Sequence, residues 1–111
     1  MFHTEGYCSF LAKEEEEVIG YVGMKMVLDE ADITNVAVLP FHRKKGIAGK
    51  LLKQLLEEAK KQNLHSIYLE VRASNIAAVT LYEHAGFKEV GQRKNYYDNP
   101  REDARLMLWE A

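Results

Sequence analysis

Cysteine occurs once, as Cys8, so no intrachain disulfide can form and a thiolate-rich zinc site is excluded within one chain. A lone thiol fits an intracellular, reducing compartment, and a cytoplasmic location is expected. Histidine is sparse as well. His3, His42, His65 and His84 show neither a His-Glu-x-x-His spacing nor another metal pattern, and no metal is expected. Apolar runs are short: none approaches the roughly 18 residues of a membrane span, and the N-terminus lacks the basic-then-apolar pattern of a signal sequence. No membrane association is expected. Excess charge is missing too, since 15 Lys and Arg against 17 Asp and Glu leave a formal charge of −2. That is a poor electrostatic footprint for a nucleic-acid binder, and no nucleic-acid partner is expected.

What is there is an ordinary globular balance, 47% hydrophobic and 29% charged over 111 residues, enough for one domain around one core. Residues 6–12 (GYCSFLA), 18–28 (VIGYVGMKMVL) and 31–39 (ADITNVAVL) are rich in strand formers. Polar turns at Glu14–Glu17 and Asp29–Glu30 separate them, which predicts an antiparallel meander. Gly20 and Gly23 inside the second segment predict a bulge or a close backbone approach.

From Gly46 the period changes. Ile47, Leu51, Leu55 and Ala59 recur every four residues with Ala48, Leu52 and Leu56 beside them, predicting an amphipathic helix that ends near Asn63. The strand SIYLEV (66–71) follows, so strand, helix and strand form a βαβ unit with parallel strands and a right-handed crossover. A second helix is expected after Ser74 or Asn75, both good N-cap types, running to a stop at Gly86. Residues 87–90 and 104–109 are candidate closing strands, separated by the polar stretch GQRKNYYDNPRED. The expected architecture is α/β: a mixed sheet of order βββαβαββ, with a central βαβ unit and antiparallel flanking strands.

The segment RKKGIAGKLL (43–52) sets three adjacent cations, Arg43 to Lys45, with two glycines and an alanine after them, at a helix start. Backbone N–H groups there, backed by Arg43, Lys44 and Lys45, suit a phosphate. A Walker A loop would need Gly where Lys44 stands and Ser or Thr where Leu51 stands, so it fails twice. The spacing of Gly46, Ala48 and Gly49 does not make a dinucleotide fingerprint either. Residues 43–48 do satisfy [QR]-x-x-G-x-[GA] between a strand and a helix.

That pattern resembles the acyl-coenzyme A loop of the GNAT acetyltransferases. The segment LEVRASNIAAVTLYEHAGF (69–87) resembles the strand and helix that follow in the same family, and GQRKNYYDNPREDARLM is similar to its ribosomal-protein-alanine branch. The resemblance implies acetyl transfer from acetyl-coenzyme A to a protein N-terminal α-amine, with a ribosomal protein as partner. It implies a pyrophosphate held at Arg43 to Gly49 (Arg43, Lys44, Lys45, Gly46, Ile47, Ala48, Gly49), a pantetheine arm paired with Val36, Ala37 and Val38, and a cofactor contact from Asn75, for which helix capping is a competing role.

By the same resemblance Glu70 is the general base and Tyr82 the general acid. The residues themselves add that alternation in IYLEVR puts Glu70 with Tyr68 and Arg72 on one strand face, so a pair with Arg72 or another cation is the structural alternative. For Tyr82 the alternative is an aromatic on the inward face of its helix. Tyr96 and Tyr97, with Arg101, Glu102 and Asp103, would shape the acceptor site and recognise the incoming peptide end, or belong to a solvated loop. Cys8 reads as a small buried hydrophobe, His65 and His84 as boundary or surface residues, and Trp109 as a core anchor. Lysine or a small amine is the alternative acceptor, and a non-catalytic coenzyme A-binding module the alternative to an enzyme. The family's first strand and two helices have no counterpart ahead of the first strand read here, residues 6–12, and an uncovered sheet edge would invite a homodimer.

Overall fold

Seven strands and two helices form among residues 2–4, 6–38 and 46–111, which the computed structural model describes. They are β1 (Phe2–Thr4), β2 (Tyr7–Glu14), β3 (Glu17–Val27), β4 (Glu30–Val38), α1 (Ile47–Lys61), β5 (Ser66–Arg72), α2 (Ile76–His84), β6 (Lys88–Tyr97) and β7 (Glu102–Glu110). One sheet holds every strand in the order β1-β2-β3-β4-β5-β7-β6. The α/β class, the antiparallel meander and the parallel β4–β5 pair agree with the sequence.

Two elements differ from expectation. β1 is an added strand, antiparallel to β2 through Phe2↔Ser9 to Thr4↔Tyr7; at three residues it is too short to show a period. β6 runs through most of the stretch read as a polar connection, because it is an edge strand whose side chains are almost all exposed. Solvent on both faces removes the alternation by which a strand is recognised.

The glycines of β3 do what their setting requires. A Cβ on Gly20 would stand 3.1 Å from Ile47 and from Leu51, so α1 lies directly on the strand there. Gly23 marks the register shift in the β3–β4 pair, and a Cβ on it would collide with the Tyr21 hydroxyl. α1 buries Leu51, Leu52, Leu55 and Ala59 against Val22, Met24 and Ile67. Cys8, 1% exposed, belongs to the same core, and burial pushes its thiol up, with Glu58 adding to the rise. Trp109 is buried, and His65 and His84 are exposed.

Both helices close with paired end bonds that fix the chain beyond them. At α1, Leu64 N–H donates to Ala59 C=O and Asn63, at φ 58°, donates to Lys60 C=O. At α2, Phe87 N–H donates to Tyr82 C=O at 3.0 Å and Gly86, at φ 105°, donates to Glu83 C=O. This is the Schellman arrangement, in which the residue past the cap packs on the helix's last turn. Here the Phe87 ring meets the Tyr82 ring edge-on with centroids 5.9 Å apart. Among the described residues, no helix is long and apolar enough to cross a membrane.

Candidate active site

A cleft opens because β4 and β5 part. Their parallel pairing runs only through Glu30↔Ser66, Ala31↔Ile67 and Asp32↔Tyr68. Past Asp32, β4 still pairs with β3, as in Val36↔Val22 and Ala37↔Tyr21, but among the described residues its other edge has no strand partner. A free strand edge can hydrogen-bond an extended, amide-bearing chain. The resulting cleft encloses about 1050 Å³.

The first turn of α1 forms one wall, with Gly46, Ile47, Ala48 and Gly49 all lining the cleft. Gly46 is the N-cap at φ 75°, without a side-chain cap bond, and the first turn carries no acidic residue. Among the described residues no side chain caps the helix start, which presents backbone donors and the positive end of its dipole, the chemistry that holds a phosphate. Left-handed backbone, not crowding, calls for glycine at position 46, since a Cβ there would meet nothing within 4 Å. Gly49 faces Leu81 Cδ1 at 3.9 Å from its would-be Cβ, so α1 begins against α2.

The sequence-derived site residues divide clearly. Val36, Ala37, Glu70, Asn75, Tyr82 and Tyr97 line the same cleft as the α1 turn. Val38 ends β4 opposite Gly20. Arg43, Lys44 and Lys45 lie outside the described residues. Tyr96 and Arg101 are exposed and do not line the cleft, although Tyr96 meets Tyr97 edge-on at 5.0 Å. Asn75 also caps α2, its Oδ1 accepting from Ala78 N–H at 3.2 Å, so the capping role is real. Among the described residues, no group of three His, Cys, Asp or Glu side chains is placed to hold a metal.

Glu70 sits on β5 with its side chain 25% exposed, and its cation is Arg93 of β6, not Arg72. The Arg93 Nε to Glu70 Oε2 separation is 3.5 Å, an ion pair but not a hydrogen bond; Oε2 is buried and makes no hydrogen bond within the protein. Glu70 lines the cleft, while its Oε2 is buried beside Arg93. Tyr82 is partly buried, and that burial, with Tyr97 adding to it, pushes its hydroxyl above the usual 10. The phenol stays protonated at neutral pH. Tyr97 is raised by its own burial and by Glu70, and Tyr96 by the adjacent Glu70 carboxylate. A carboxylate and a protonated phenol therefore line one cavity, the pair of groups that acid–base chemistry draws on.

Sequence reasoning passed over Tyr21, Ile33, Thr34 and Leu81 as lining residues. Apolar and small residues of strands and helices carry no sign of which cavity they face. Arg72 is the larger omission, because its face was legible but its partners were not. It contacts the turn between β6 and β7 and the first residue of β7, 26 to 30 residues away in the chain.

The model of the acetyltransferase (GNAT) family matches residues 1–87. The ribosomal protein bS18-alanine N-acetyltransferase of Escherichia coli K12 is 40% identical over 105 residues, covering 93% of this chain and 71% of that protein. The crystal structure of the Escherichia coli enzyme of that name superposes with a TM-score of 0.91 at 38% identity, covering 97% of this chain and 71% of the other. A GNAT acetyltransferase from Elizabethkingia anophelis with acetyl-coenzyme A bound gives a TM-score of 0.85 at 26% identity, covering 96% of this chain and 78% of that one. This chain therefore belongs to the GNAT acetyltransferase family and is an N-acetyltransferase that takes its acetyl group from acetyl-coenzyme A.

Proposed function

We propose that this chain acetylates the α-amine of an alanine-initiated protein, a ribosomal protein being the physiological partner, in the cytoplasm. The acceptor class follows the relatives of 40% identity. The observation that carries the reaction is the meeting of Glu70, Tyr82 and the uncapped start of α1 in the wedge between β4 and β5. Acetyl-coenzyme A supplies a thioester, whose diphosphate suits the N–H groups at Ile47 to Gly49 and whose amide arm suits the free edge of β4.

Glu70 accepts a proton from the incoming ammonium, leaving a neutral amine to attack the acyl carbon. The C–N bond forms, the C–S bond breaks, Tyr82 donates its proton to the departing thiolate, and the second proton leaving the acylated nitrogen restores the Tyr82 phenol. An α-ammonium, with a pKa of about 7.7 to 8.0, releases its proton far more readily than a lysine at about 10.4. A single carboxylate is sufficient for the first and weak for the second.

Mass spectrometry on one peptide separates these acceptors. An Ala-initiated peptide with an internal lysine is expected to gain one acetyl group at its α-amine, and the same peptide with a blocked N-terminus none. Modification of the lysine alone would move the acceptor to a side-chain amine. Acetyl-coenzyme A binding without turnover on any amine would make the chain a binding module.

A further inference from the structure

We infer that Arg72 is a positioning residue that sets the acceptor side of the cleft by clasping the β6–β7 turn; this rests on the N-terminal acceptor reading above. Arg72 is two residues beyond Glu70 on the same face of β5 and also lines the cleft. Its guanidinium stacks over the Tyr97 ring at 4.5 Å. Two of its nitrogens donate into the turn, Nη1 to Pro100 C=O at 3.0 Å and Nη2 to Asp98 C=O at 3.1 Å. Nη1 also pairs with Glu102 Oε2 at 3.4 Å.

Glu102 closes the clasp from the other side. Its Oε1 accepts from Ser74 N–H, just ahead of α2. Hydrogen bonding from the Ser74 side chain, then from its backbone N–H and from Arg72, holds the Glu102 carboxyl below its usual range. Arg72 and Glu102 thus tie β5, the start of α2 and the β6–β7 turn together at the point where Tyr97 enters the cleft. Only a planar fork can stack on a ring and reach two carbonyls at once, so the site asks for arginine and not merely for a cation.

The arrangement constrains Tyr97 directly, whereas the walls assigned to the diphosphate and the amide arm lie on α1 and β4. Loss of the fork should therefore weaken acceptor binding selectively. Arg72→Lys is the first variant. Arg105→Lys is the control, because Arg105 makes a comparable guanidinium contact between β7 and β6, to Glu89 at 3.4 Å, away from the cleft lining. Steady-state kinetics on the full chain with an Ala-initiated peptide should show an acceptor KM raised about tenfold in Arg72→Lys. The acetyl-coenzyme A KM should stay within about twofold, and Arg105→Lys should leave both unchanged. Equal rises in both KM values, a fall in kcat alone, or the same effect from Arg105→Lys would overturn the positioning role while leaving the N-terminal acceptor reading intact. A wild-type chain inactive on every N-terminal peptide would overturn both.

Discussion

Tyr82→Phe is expected to lower kcat by about 10²- to 10⁴-fold, the usual contribution of a positioned general acid, while acetyl-coenzyme A binding stays within about twofold. The substitution keeps the ring and therefore the edge-on contact with Phe87. It also leaves the backbone bond from Phe87 N–H to Tyr82 C=O that ends the helix. Only the hydroxyl is lost. Burial raises that hydroxyl above 10, so the wild-type rate should not fall on an alkaline limb until beyond that value, and the Phe variant should lack the limb. The sign for stability is the same. A proton held more tightly in the folded chain has no effect below the unfolded value near 10, and stability declines as pH rises through the folded value. An unchanged kcat in Tyr82→Phe would assign the ring to packing alone.

Glu70→Gln is expected to cost about 10²- to 10⁴-fold in kcat/KM for the peptide at neutral pH. The change is nearly isosteric, and the ion pair it removes involves an Arg93 side chain that is 57% exposed. Such partners contribute under about 1 kcal/mol, so the fold should persist. The direction with pH distinguishes a base from a scaffold. Raising the pH toward and past the α-amine value of about 8 supplies the neutral amine without help, so the deficit should shrink by about tenfold per unit until the amine is titrated. A deficit that stays constant across that range would mean that Glu70 shapes the cleft and does not remove the proton.

Much of this site was legible from residue order because each signal was local. The four-residue recurrence of Ile47, Leu51, Leu55 and Ala59 located α1, and Asn75 with Gly86 located both ends of α2. Gly46 could be assigned to the helix start before its φ of 75° was known. Alternation put Glu70 and Arg72 on one face of β5, yet not beside each other's charges: Arg93 and Glu102, their partners, arrive through the β6–β7 hairpin. Long-range pairing of polar groups leaves no local trace. The wedge itself was equally hidden, since nothing in ADITNVAV tells that β4 leaves β5 after Asp32. β6 escaped notice because an exposed edge strand needs no apolar face.

The claim on which all of this depends is that the start of α1 and the wedge beside it bind acetyl-coenzyme A. Calorimetric titration of the chain against its Ala48→Glu variant tests it most directly. A carboxylate in the first turn of α1 favours the helix dipole and should leave the fold unharmed, but it would stand among the N–H groups assigned to the diphosphate. The wild type should bind one equivalent of acetyl-coenzyme A, and Ala48→Glu, folded with an unchanged melting curve, should bind at least about a hundredfold more weakly, given the like-charge repulsion at contact distance. A folded Ala48→Glu chain that binds as tightly as the wild type, or a wild type that binds none, would contradict the account.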